Sequence, residues 1–147
     1  MIAKYVHTNL IARDWRALAD FYVQVFGCRP KPPERDLHGP WVDQLTGLPG
    51  AHLRGMHLIL PGTDGITLEI FQYDENLSRP VKRIHEEGFG HIAFLVDDVE
   101  ECLGLVKAHG GGTVGQVVTS EVRGVGTLHV VYATDPEGNI LELQNWS

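Results

Sequence analysis

Cysteine is scarce in this chain: Cys28 and Cys102 are the only two. Two thiols are too few for the disulfide framework of a small secreted domain, and a reduced cytoplasmic setting is the expectation. Long apolar runs are missing too. The longest, Ile92 to Val96, is five residues, whereas a membrane-spanning helix needs about 20. Met1 to His7 offers neither the apolar core nor the small-residue cleavage site of a secretory leader. Positive charge is outweighed, with 12 basic residues against 19 acidic and a net charge of −7. Such a surface repels a phosphate backbone, so neither nucleic acid nor membrane is an expected partner. What the chain does hold is histidine, eight in 147 residues.

The chain also repeats itself. Laid without gaps, His7-Thr8-Asn9-Leu10-Ile11-Ala12-Arg13-Asp14 falls on His91-Ile92-Ala93-Phe94-Leu95-Val96-Asp97-Asp98. Further on, Leu18, Phe21, Tyr22 and Gly27 fall on Cys102, Leu105, Val106 and Gly111, and Ile66–Ile70 resembles Asn139–Leu143. Each half reads as a strand, a helix and further strands. Asp14 and Asp98 are placed to cap the helices, the second with Glu101 in a capping-box spacing, and Gly110-Gly111-Gly112 ends the second helix. Later strands are expected at Gly55–Leu60, Gly65–Tyr73, Thr127–Thr134 and Asn139–Trp146. Asp135-Pro136-Glu137-Gly138 is a turn, because proline sets φ and glycine accepts a left-handed conformation. The expected organisation is one domain over 1–147, with a module at about 1–73, a linker at 74–90 and a module at about 91–147. The first module is the longer, and its surplus falls in Arg29–Gly55. The prolines and glycines there argue against long regular structure, and Leu45–His52 is read as a substrate-facing loop.

Strand parity brings ligand-type residues together. Side chains alternate faces, so His7, Asn9 and Ile11 share one face, as do His91, Ala93 and Leu95. In the closing strands Thr67, Glu69, Phe71 and Tyr73 go together, as do Ile140, Glu142, Gln144 and Trp146. A carboxylate between buried aliphatic neighbours is costly unless its charge is compensated. Two glutamates and two histidines at duplicated positions suggest a shared compensator: a divalent metal held by His7, Glu69, His91 and Glu142. His57 and His129 lie on similar strands and could line the cleft, but the preferred reading has them facing solvent. His38, His52, His85 and His109 are read as loop or helix-end residues, and both cysteines as packing residues.

Gly90–Asp98 and Thr134–Leu143, with His near the first strand and Leu-Glu in the last strand of each half, resemble the vicinal oxygen chelate superfamily across essentially the whole chain. The resemblance implies an α+β fold of two tandem βαβββ modules, forming a curved mixed sheet around a metal-binding cleft with helices outside. The His, Glu, His, Glu order is similar to that of glyoxalase I. It implies a lyase or isomerase that moves a proton through a metal-stabilised enediolate of a small vicinal-oxygen substrate, and Zn, Ni, Co or Mn fit the ligands better than Fe. Glu142 is the favoured base, with Glu69 as ligand or second base. Asn9, Ile11, Phe71, Tyr73, Leu95, Gln144 and Trp146 would line the substrate end, and a homodimer is expected. Glutathione-using relatives often carry an arginine and an asparagine where this chain has Ile11 and Tyr73, which argues against a glutathione adduct. Three alternatives stay open: a methylmalonyl-CoA-epimerase-like enzyme, an Fe(II) extradiol dioxygenase, and a non-catalytic resistance-type binding protein.

Overall fold

A computed structural model describes residues 1–147, and the chain divides into two compact units, Met1–Ser78 and Arg79–Ser147. The first unit runs β1 (His7–Ile11), α1 (Trp15–Phe26), β2 (Arg29–His38), α2 (Pro40–Thr46), β3 (His52–Ile59) and β4 (Thr67–Tyr73). The second runs β5 (Ile92–Leu95), α3 (Val99–Ala108), β6 (Gly112–Thr113), β7 (Val118–Val122), β8 (Gly126–Thr134) and β9 (Ile140–Trp146). No helix is long and apolar enough to cross a membrane.

The duplication is visible in the strand order. The first sheet is ordered β1-β4-β3-β2, with β1 and β4 parallel and the other pairs antiparallel. The second is ordered β5-β9-β8-β6, again with a parallel first pair, and β7 also pairs with β8. Two short strands, β6 and β7, thus do along β8 what β2 does along β3.

The helices form where their caps dictate. Asp14 accepts hydrogen bonds from the Arg16 and Ala17 amides at 3.1 Å, and Gly27 closes α1 in the left-handed region at φ 68°. Asp98 accepts from the Glu101 amide at 2.8 Å, and the His109 ring turns back onto the Leu105 carbonyl at 2.9 Å. Trp15, Leu18, Ala19, Phe21 and Tyr22 bury one face of α1, and Val99, Cys102, Leu103 and Val106 one face of α3. Leu58, Leu68, Ile70, Leu141 and Leu143 are fully buried strand residues. At about 25 cal/mol per Å² of apolar area, burial of each side chain stabilises its unit by roughly 1.5–3 kcal/mol. On the opposite face of its own sheet, His7 in the first unit and His91 in the second are exposed.

One region departs from expectation. Arg29–Gly55 is regular for most of its length, in β2, α2 and the start of β3. Pro30, Pro32 and Pro33 are tolerated because β2 is an edge strand, and its pairing with β3 breaks register between Lys31 and Arg35. Leu45 and Thr46 end α2, and the Asp43 carboxylate accepts the Gly50 and Ala51 amides at 3.0 Å. The expected loop at 45–52 is therefore a helix end and a side-chain-tied turn. Val42 of α2 packs with Ala51, Leu53 and Phe71 in a small core of its own, flanked by Leu37 and Tyr73.

Candidate metal centre

In the first unit, β4 supplies Glu69 and its neighbours supply the groups around it. Its Oε1 accepts from Asn9 Nδ2 at 2.8 Å and lies 3.8 Å from His7 Nε2. Its Oε2 lies 2.8 Å from His57 Nε2. The ligand atoms of His7, His57 and Glu69 all fall within 4.8 Å of one another. The backbone explains the cluster: Asn9 and Glu69 are partners across the parallel pair, His57 and Glu69 across the antiparallel pair.

His57 corrects the expectation of a solvent-facing side chain. It is half-buried, and its Nδ1 lies 3.0 Å from the Thr67 hydroxyl. Burial holds its pKa below the usual histidine range; the Glu69 carboxylate opposes that, while Arg35, His7 and Lys31 reinforce it. A neutral imidazole carries one N–H, and a carboxylate can only accept. The proton therefore sits on Nε2, and the buried Thr67 hydroxyl donates to Nδ1.

The second unit repeats the motif with one substitution. His91 Nε2 lies 3.0 Å from Glu142 Oε2. The residue across the antiparallel pair from Glu142 is Tyr132, whose hydroxyl hydrogen-bonds to it. Burial first, then the Glu142 charge and that hydrogen bond, push the Tyr132 pKa above its ordinary value, so the phenol keeps the proton it donates. The Tyr132 and His91 rings are 5.1 Å apart. The Asn9 position is Ala93 here, so Glu142 lacks the amide donor that Glu69 has. His129 is no counterpart of His57: its Nε2 meets the Glu100 carboxylate at 2.9 Å and its Nδ1 the Thr119 hydroxyl.

The expected substrate-end residues divide. Ile11, Leu95 and Trp146 are exposed at 50%, 73% and 38%. Trp146 donates from its indole to Gln144 Oε1 at 2.7 Å. Asn9 is engaged with Glu69, Phe71 is buried in the small core beside α2, and Tyr73 packs on that core. Register across the hairpins was the missed signal for His57 and Tyr132. His57 and Glu69 are equally distant from the centre of the Pro61–Gly65 turn, and Tyr132 and Glu142 from Glu137.

In each unit a half-buried carboxylate has imidazole nitrogen aimed at it, a donor set that fits a divalent cation of intermediate hardness.

Residues 4–143 match the family model described as Glyoxalase/Bleomycin resistance protein/Dioxygenase superfamily. A probable lactoylglutathione lyase of Vibrio cholerae is 41% identical over 64 residues, 40% of this chain and 42% of that protein. One of Vibrio parahaemolyticus is 40% identical over 55 residues, 37% of this chain and 38% of that protein. The chain thus spans about two fifths of the curated relatives it matches. Among solved structures, a glyoxalase family protein from Bacillus cereus superposes with a TM-score of 0.76 at 18% identity, covering 98% of this chain and 93% of that one. The fosfomycin resistance protein FosX from Listeria monocytogenes gives 0.60 at 19% identity, covering 100% and 96%. At these identities the likeness is one of fold.

Proposed function

Because the chain belongs to the Glyoxalase/Bleomycin resistance protein/Dioxygenase superfamily, we propose that it is a divalent-metal-dependent lyase or isomerase of the glyoxalase I type. The proposed ligands are His7, Glu69, His91 and Glu142, and the proposed metal is Zn, Ni, Co or Mn. The observation that carries this reading is the recurrence, in both units, of an imidazole Nε2 beside a half-buried glutamate at the same strand positions. A bound ion supplies Lewis acidity toward two vicinal oxygens of a small substrate, acidifying the carbon beside them.

The chain's own residues give the two glutamates different tasks. Asn9 and His57 hold both oxygens of Glu69, and Thr67 orients the His57 ring from behind. A carboxylate fixed in this way is suited to remain a ligand. Glu142 has His91 and the Tyr132 hydroxyl but no amide donor. It is freer to swing and take a proton from substrate carbon, and Tyr132 can steady the carboxylate at Glu142 Oε once the proton has moved on. Exposed Ile11, Leu95 and Trp146 supply apolar surface for excluding water around a bound substrate.

The substrate we propose is not a glutathione adduct. Ile11 is apolar, and Tyr73 is committed to packing on the core beside α2, so neither position offers an ionic anchor for a tripeptide. The names of the two Vibrio relatives favour the second reading, a lactoylglutathione lyase. The deciding experiment is metal analysis of the purified protein, followed by solvent-deuterium exchange into 2-oxo hemithioacetals of glutathione, of smaller thiols, and into acyl-CoA thioesters. Metal-dependent exchange supports the proposal. Absence of exchange with every substrate, metal bound, would leave a ligand-binding protein instead.

A further inference from the structure

We propose that Asp36, His38 and His52 form a second divalent-metal site, of the zinc class, at the end of the β2–β3 ladder. None of these residues belongs to the centre described above, and none takes part in the proposed reaction.

Histidines 38 and 52 are directly opposed across the antiparallel pair, and Asp36 stands two residues before His38 on the same face of β2. Their rings lie 5.0 Å apart, centre to centre. The three ligand atoms fall within 4.8 Å of one another. Zinc bonds of about 2.0–2.1 Å at tetrahedral angles place donors roughly 3.3 Å apart, a distance these side chains reach by small rotations.

The surroundings of His52 suit a metal ligand. Its Nε2 lies 2.5 Å from Asp36 Oδ1, and its Nδ1 lies 3.0 Å from Asp74 Oδ2. Metal-binding histidines characteristically give their other ring N–H to a carboxylate, which fixes the tautomer and leaves the second nitrogen's lone pair for the ion. Asp74 is placed for that role on Nδ1. Nε2 and the Asp36 carboxylate are then neighbouring candidate ligand atoms, grouped with the His38 ring. Arg54 flanks the group: its Nη2 lies 3.3 Å from His52 Nδ1, its Nη1 2.5 Å from Asp74 Oδ1 and its Nε 3.6 Å from Asp36 Oδ2. The guanidinium braces both carboxylates from one side and leaves Asp36 Oδ1 turned to the histidines.

The site also has room. His38 and His52 border an open cleft of about 510 Å³ whose other walls are Gly39, Pro40, Asp43, Gly50 and Ala51. Asp43 is occupied by the Gly50 and Ala51 amides, so it stays out of the ligand set. Two imidazoles and a carboxylate facing that cleft leave further positions for water or a small anionic ligand, the open form of a zinc site.

Zinc alone is the probe. The full chain, stripped of metal, is titrated with Zn²⁺ and its bound equivalents counted, with His38→Ala, Asp36→Asn and Asp74→Asn in parallel. His38 and Asp36 are exposed, and circular dichroism confirms that each variant is folded. The expected result is that His38→Ala and Asp36→Asn each lose one equivalent bound by the wild type. Asp74→Asn should weaken that same equivalent by about ten- to a hundredfold. A His7→Ala/His91→Ala chain should keep it, so loss of the first centre and loss of the second are read separately. If His38→Ala and Asp36→Asn bind zinc with wild-type stoichiometry and affinity, His52 is bridged by a proton only and the proposal is overturned.

Discussion

His57 stands across the β3–β4 pair from Glu69, with its Nε2 2.8 Å from the Glu69 carboxylate, while Tyr132 takes the same place opposite Glu142. Removing the imidazole with His57→Phe takes away a donor from a half-buried carboxylate. Metal affinity is expected to fall about 10–100-fold, the usual effect of losing a group that orients a ligand. His129→Ala, whose imidazole serves Glu100, should leave affinity unchanged. Metal titration of the two variants checks this, and equal affinities would refute the orienting role of His57.

The glutamates should respond differently to isosteric replacement. Glu142→Gln is expected to keep metal, since an amide oxygen still coordinates, and to lose proton exchange by about 10²–10⁴-fold. Glu69→Gln should be milder on exchange, because its amide oxygen can still coordinate or accept from one of Asn9 and His57. Metal content and solvent-deuterium incorporation with one confirmed substrate are measured together. Near-wild-type exchange in metal-loaded Glu142→Gln would remove Glu142 as the base.

Glutathione dependence has a direct assay. With Ile11 and Tyr73 in place of polar anchors, the methylglyoxal–glutathione hemithioacetal should be turned over no better than the hemithioacetal of a small thiol. A kcat/KM that is at least tenfold higher with glutathione would show that other residues anchor the tripeptide.

Gly55 is a packing necessity beside the candidate centre. A Cβ built on it would lie 2.1 Å from the Ile70 carbonyl oxygen and 2.1 Å from Phe71 Cδ1. The carbonyl belongs to the sheet and cannot move aside freely. Gly55→Ala is expected to destabilise the chain by about 1–3 kcal/mol, as overpacking does. Chemical denaturation measures it, and an unchanged midpoint would contradict the contact.

Burial pushes the Cys28 thiol up to about 11 from an ordinary 9.0. A thiolate that scarce at neutral pH reacts slowly, so Cys28 should resist aromatic disulfide reagents in the native state and react at once in denaturant. The same shift lowers stability at high pH: the unfolded thiol ionises first, so stability is intact below about pH 9 and declines as pH rises toward 11. Rapid native labelling of Cys28 would show that the site opens.

β2, α2, β6 and β7 were not legible, but α1, α3, both aspartate caps and the faces of β1, β4, β5 and β9 could be read from residue spacing. These features depend on local rules, a two-residue strand period and a 3.6-residue helical one, that neighbours in sequence express directly. The duplicated His and Glu positions were legible for the same reason. Three things were decided by tertiary pairing. The edge position of β2 let a proline-rich segment stay extended, because its outer N–H groups need no partner strand. Antiparallel register set His57 against Glu69 and Tyr132 against Glu142, a relation between residues on opposite arms of a turn. Register also brought His38 to His52, where Asp74 from the end of a third strand meets the same ring. Composition and periodicity are properties of one segment, whereas these contacts belong to pairs of segments and exist only once the strands have chosen each other.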